Sequence, residues 1–164
     1  MKSKIAFALV AAMLLSACSS GEVLLSKPAA VPVGVDLSGN WVVSGNSGSS
    51  QREVRDLSVH VFLETGKSVK ITQIDTGLFF SFDRSVVEEY RFGEKREVSV
   101  GPISAARVSG WEGNAYVIET LDDDGAKLTD TYRLQSDGQQ LKRTMVIWYR
   151  NQKLLSLEQV FDRV

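Results

Sequence analysis

From residue 37 onward, apolar side chains recur at alternate positions in short runs separated by Gly, Asn, Asp and Ser. A period of two puts successive side chains on opposite faces of an extended backbone, so each run predicts a half-buried β-strand. The first spans residues 40–44, around Trp41-Val42-Val43, and Gly45-Asn46-Ser47-Gly48-Ser49-Ser50 predicts a flexible loop after it. Residues 51–63 fit two templates: Leu57, Val59, Val61 and Leu63 alternate as in a strand, while residues 52–56 could open with a helical turn. Residues 67–75 place Val69, Ile71 and Gln73 on one face. Residues 78–84 return with Leu78, Phe80 and Phe82 on one face. Further strands are expected over 86–92, 96–100 and 104–111. The clearest hairpins come last, where Asp122-Asp123-Asp124-Gly125 and Ser136-Asp137-Gly138 separate runs at 115–121, 128–134 and 141–149. Arg150-Asn151-Gln152-Lys153 leads to a final strand over 155–163. Strand, Asp-Gly turn and strand in succession means consecutive antiparallel pairing. The expected fold is all-β, with eight to ten strands and a turn every ~8–12 residues. A meander of that length can close on itself and remove its edges. We therefore expect an up-and-down β-barrel or a strongly curved, half-open sheet, with a two-sheet sandwich as the alternative.

The pattern changes completely at the N-terminus. Lys2 and Lys4 precede an unbroken apolar run of 11 residues, from Ile5 to Leu15, and small residues follow. This order of charge, apolar run and small residues is that of an export signal. A spanning helix needs about 20 apolar residues, so the run is too short for a permanent anchor. Leu15-Ser16-Ala17-Cys18 closely resembles the lipobox of bacterial lipoproteins. That resemblance implies cleavage after residue 17, a diacylglycerol on the Cys18 thiol and an N-acyl chain on the new terminus. Several acyl chains give stable membrane attachment, at about 0.8 kcal/mol per buried methylene. In such lipoproteins Asp after the cysteine tends to retain the protein at the inner membrane. Ser19 therefore implies the outer membrane, facing the periplasm. Residues 18–36, with Pro28 and Pro32, read as the lipidated cysteine and a tether whose apolar members could pack on the domain or the bilayer. Residues 37–164 form the single folded domain. Cys18 is the only cysteine, so no intrachain disulfide can form and the core must hold the fold.

Charge narrows the partners. Loss of Lys2 and Lys4 with the signal reduces 19 basic residues to 17 against 20 acidic ones, a formal charge of −3. Nothing in that balance suggests nucleic acid, which calls for a basic patch.

Gly39-Asn40-Trp41 resembles the opening Gly-x-Trp signature of lipocalins. The resemblance implies that Trp41 closes one end of a barrel and packs near an arginine from a late strand, for which Arg143, Arg150 and Arg163 are the candidates.

Catalytic chemistry finds little support. His60 is the sole histidine and cannot by itself build the usual metal cluster. The Asp122–Asp124 run lacks the glutamate that closes an EF-hand loop, since position 133 is Arg; it reads as a solvated turn. Glu88 and Glu89 point to opposite sides of a strand, which places them poorly for acid/base work on one substrate. The wider 88–97 stretch reads as a solvated strand pair, or else as a partner-facing rim around Tyr90 and Phe92. Phe80, Phe82, Tyr90, Phe92, Trp111 and Trp148 are the candidate ligand or partner contacts. The expectation is a non-enzymatic, cofactor-free envelope lipoprotein that binds a hydrophobic small molecule or lipid. The alternative is a filled barrel serving as an assembly accessory or as an inhibitor of an envelope enzyme, with its contact patch at Tyr90, Phe92 or the Gly45–Ser50 loop.

Overall fold

The computed structural model describes residues 22–48, 66–83, 86–100 and 102–164. Ten strands follow one another: β1 (Gly39–Gly48), β2 (Ser68–Ile74), β3 (Gly77–Phe82), β4 (Val86–Arg91), β5 (Lys95–Val100), β6 (Ile103–Glu112), β7 (Ala115–Asp122), β8 (Ala126–Gln135), β9 (Gln140–Tyr149) and β10 (Gln152–Arg163). They form one antiparallel sheet in the order β4-β3-β2-β1-β10-β9-β8-β7-β6-β5. Each strand pairs with its chain neighbour except β4 with β5, and β1 joins β10 to link the two halves. The sheet is a curled half-barrel whose two edges, β4 and β5, are adjacent in sequence yet not laddered together.

The alternation seen in sequence is the burial pattern. On β9, Leu141, Arg143, Met145 and Ile147 face inward, and on β10 Leu155, Leu157, Gln159 and Phe161 do so. The β9–β10 hairpin turns on Arg150 (φ 47°) and Asn151 (φ 65°), a two-residue turn of the primed kind that matches strand twist.

The Gly45–Ser50 expectation needs correction. Gly45 to Gly48 belong to β1, which pairs with β10 as far as Gly48 opposite Leu157. A bulge between Val43 and Gly45 resets the register. Gly48 (φ +102°) lies so close to the Ser156 carbonyl that no Cβ would fit. Composition suggested a loop; a long partner strand and a close backbone approach made it a strand. Ser49 and Ser50 of that expectation, and residues 51–63, lie outside the described residues.

The described turns gather at two ends. The turns β2–β3, β4–β5, β6–β7 and β8–β9 lie at the base, and β3–β4, β7–β8 and β9–β10 at the upper end. Residues 22–36 form a strap fixed to the barrel, with apolar members of the expected tether packed on the domain. Leu24 is buried. Lys27 bridges Glu112 and Glu119, the latter at 2.9 Å, and the Trp111 amide donates to the Pro28 carbonyl at 2.9 Å. Gly110 has no side chain because Lys27 and Pro28 press against its backbone. The strap then reaches the base, where Val31 and Val35 pack on the core. Gln73 holds it there, accepting from the Leu37 amide and donating to the Val35 carbonyl, both at 3.0 Å.

Candidate functional site

The barrel interior is layered. At the base, Leu37 and Trp41 are fully buried and close the end. The Trp41 indole donates to the Leu37 carbonyl at 3.1 Å, and the Arg163 guanidinium stacks over its ring at 4.2 Å. Arg163 also donates to the carbonyls of Ser38 (2.7 Å) and Gly138 (2.9 Å), tying β1 to the β8–β9 turn. Of the three arginines considered, Arg163 is the one at this position; Arg143 and Arg150 are elsewhere. Gly39 lies at the same contact, where a Cβ would strike Arg163 and the Trp41 ring.

Above the base the interior is aromatic. Phe80 packs against Tyr90 (5.4 Å between centroids), Tyr132 (4.8 Å) and Phe82 (6.4 Å). Trp111, Tyr116 and Phe92 form a second cluster with centroids 5.2–5.7 Å apart. The Trp111 Nε1 donor is buried with no hydrogen-bond partner among the described residues.

Next comes a polar belt. Arg143 on β9 is 1% exposed and donates to Asp130 on β8 through Nε (2.9 Å) and Nη2 (2.7 Å), and to Gln159 on β10 through Nη1 (3.4 Å). The Tyr132 hydroxyl donates to the same Asp130 at 3.0 Å. The Arg143 guanidinium also stacks over Phe82 (4.7 Å) and Tyr132 (5.2 Å). Burial works against the Arg143 charge, but Asp130 outweighs it and raises the pKa above the ordinary arginine value. Burial likewise pushes the Tyr132 and Tyr90 hydroxyls far up, so both stay protonated. Across the barrel, Arg107 on β6 donates to Thr120 on β7 at 3.1 Å and lies 3.8 Å from Glu88 on β4. Glu88 accepts the Tyr90 hydroxyl, and Arg107 sits over the Tyr90 ring at 5.3 Å. The Arg107–Glu88 pair spans the slot between β4 and β5. Arg96 spans it again by donating to the Glu89 carbonyl at 2.6 Å. Side chains therefore tie edges that backbone ladders do not.

Above the belt the wall becomes aliphatic. Ala126, Leu128, Met145, Ile147, Leu155 and Leu157 form a separate buried cluster toward the upper end.

The expected contact residues divide three ways. Phe80, Phe82, Tyr90 and Trp111 are buried inside, and Phe92 packs with them. Tyr90 is thus no exposed rim residue, while Phe92, just past the end of β4, is partly buried against the same core. Trp148 is out of phase with Ile147 and faces outward, 37% exposed. Glu88 and Glu89 do diverge: Glu88 turns inward, while Glu89 pairs with Arg91 outside at 3.1 Å. Asp122 takes the Ala126 amide at 2.7 Å, as a turn residue does. Cys18 and His60 lie outside the described residues. Sequence reading missed Asp130, Arg107, Gln159 and Thr120. Their signal was present: each is a polar residue in phase with the buried positions of its strand, such as Asp130 between Leu128 and Tyr132.

No protein-family model matches the chain, and no curated protein matches its sequence. Solved structures do match. Lipid binding protein 8 of Caenorhabditis elegans aligns with TM-score 0.57 at 9% identity, over 77% of this chain and 94% of its own. A secretory abundant heat soluble protein of Ramazzottius varieornatus aligns with TM-score 0.56 at 12% identity, over 77% and 94%. Zebrafish ileal bile acid-binding protein, solved with cholic acid, aligns with TM-score 0.53 at 13% identity, over 77% and 98%. At these identities the likeness establishes the fold.

Proposed function

We propose that this chain is a non-enzymatic, lipid-anchored protein on the periplasmic side of the outer membrane that binds a hydrophobic small molecule or lipid. The ligand would enter at the upper end and meet the aliphatic cluster packed above the polar belt. One observation carries this: an aliphatic layer separated from the packed aromatic base by a floor of fixed hydrogen-bonding groups. Apolar walls with a few placed polar groups are the usual make-up of a small-molecule site. Two of the similar folds are named for lipid or bile acid binding, which supports the class of ligand. The belt also bears on the head group. Arg143 is answered by Asp130 and Arg107 by Glu88. Among the described residues of the belt a ligand thus meets hydrogen-bonding partners but no unanswered cation, which favours an uncharged head.

A second reading has its own observation. The lower half is shut by packed aromatics, as a purely structural or partner-binding barrel would be. Native mass spectrometry distinguishes the two. Residues 19–164 are exported from a conventional cleavable signal and purified without detergent. A reproducible non-covalent adduct that is lost on denaturation supports the carrier. A clean apo mass, unchanged after incubation with envelope lipid extract, replaces it with the interaction module.

A further inference from the structure

The strap determines where a lipid anchor leaves the barrel. Its first described residue, Glu22, pairs with Lys127 at 3.3 Å and shares a shallow groove with Thr129, Trp148 and Asn151. Asn151 is in the β9–β10 turn, so the strap begins at the upper end and descends the outer face of β7 and β6 to the base. It is held along its length by the burial of Leu24, the double pairing of Lys27 and the bond from Trp111 to Pro28. Cys18 precedes Glu22 by four residues, a span of at most ~14 Å when fully extended. An anchor at Cys18 must therefore emerge beside the β9–β10 hairpin. The base lies a whole strand away, about 33 Å along the ten residues of β9.

The surface at that corner suits a bilayer. Trp148 and Leu154 are 37% and 38% exposed, and Val23 and Leu25 on the strap are 67% and 72% exposed. Arg150 stacks over Tyr149 and Lys153 over Trp148, giving cations beside aromatic rings. Trp and Tyr favour the headgroup level, and Lys and Arg favour anionic lipid heads. The Asp122–Asp124 turn lies at the same end, next to this corner, since Ala126 pairs with Tyr149 and Lys127 with Trp148.

We propose that the anchored protein stands with its upper end against the bilayer, the β9–β10 hairpin in the headgroup layer and the Trp41 base pointing away. The proposal rests on the lipid-anchor reading of Cys18 and deepens the carrier reading: a lipid would pass between membrane and barrel through the end that touches the membrane.

With Cys18 acylated, an introduced cysteine is the only free thiol. Lys153→Cys at the upper end and Asn114→Cys at the base are each labelled with a nitroxide. The lipidated proteins are placed in vesicles of phosphatidylethanolamine and phosphatidylglycerol. The label at 153 should be shielded from a water-soluble nickel chelate and relaxed by lipid-soluble oxygen, and the label at 114 should show the reverse. Adding Lys27→Glu sets a third carboxylate against Glu112 and Glu119; flotation with vesicles should persist while the shielding at 153 falls to the level at 114. Equal nickel access at both positions on a protein that floats overturns the orientation and leaves the anchor intact. A difference that survives Lys27→Glu overturns the strap as its cause. An unmodified Cys18 by mass spectrometry, with no flotation, removes the anchor and the orientation with it.

Discussion

At the scale of single residues, the Arg143–Asp130 pair is the most consequential contact. Both groups are buried, and removing one leaves an unanswered charge in a low-dielectric interior. Asp130→Ala should cost about 3–5 kcal/mol in urea unfolding, whereas the double change Asp130→Leu with Arg143→Met should lie much nearer the wild type. Asp130→Asn tests the head-group argument. It keeps the shape but frees the guanidinium charge, so affinity for a free fatty acid relative to its methyl ester should rise roughly tenfold, about 1.4 kcal/mol, in a fluorescent-lipid displacement assay. An unchanged ratio would show that the belt does not face the ligand. Trp41 plays a different part. It is fully buried at the base, and Trp41→Ala should cost about 3–5 kcal/mol. The sequence marked Trp41 through its Gly-x-Trp setting, but not which arginine covers it. Arg143, Arg150 and Arg163 are equivalent as letters, and only strand phase and register separate them.

At the scale of elements, composition left open whether the strap packs on the domain or the bilayer. Two prolines and small residues look like a linker, yet the segment docks because Gly110 leaves room for it and three carboxylates face Lys27 and Lys127. Gly110→Val should displace it, exposing residues 22–36 to limited proteolysis while the barrel keeps its β circular dichroism. Its pH response follows from two groups. Burial opposes the Lys27 charge, but Glu112 and Glu119 prevail and hold its pKa above 10.5; its contribution is therefore full below that value and is lost as pH rises through the folded pKa. Hydrogen bonds from Ser38 hold Asp36 below 3.8; its contribution is full above 3.8 and is lost as pH falls through the folded pKa. The Trp111 amide, bonded to Pro28, should stay protected from exchange between these limits and lose protection first beyond them. Its early loss near neutral pH would show that other contacts hold the strap. The loop expected from Gly45 failed over Gly45–Gly48 for a related reason. Gly and Ser disfavour a strand weakly, and the pairing offered by β10 exceeds that preference.

At the scale of the whole molecule, the lipid anchor is the claim on which address and orientation depend. Cells fed a tagged fatty acid should label the wild-type protein and not Cys18→Ala; labelling of both would place the lipid elsewhere, and labelling of neither would remove it. The all-β class, the hairpin succession in the C-terminal third and the inward faces of most strands were determined by the sequence alone, because a period of two and turn chemistry are local properties that any partner strand must respect. The tertiary structure alone decided that β1 pairs with β10, that β4 and β5 remain unladdered edges bridged by Arg107 and Arg96, and that Asp130 finds Arg143. Those outcomes depend on curvature and register, which bring together residues far apart in the chain and carry no mark in either segment by itself.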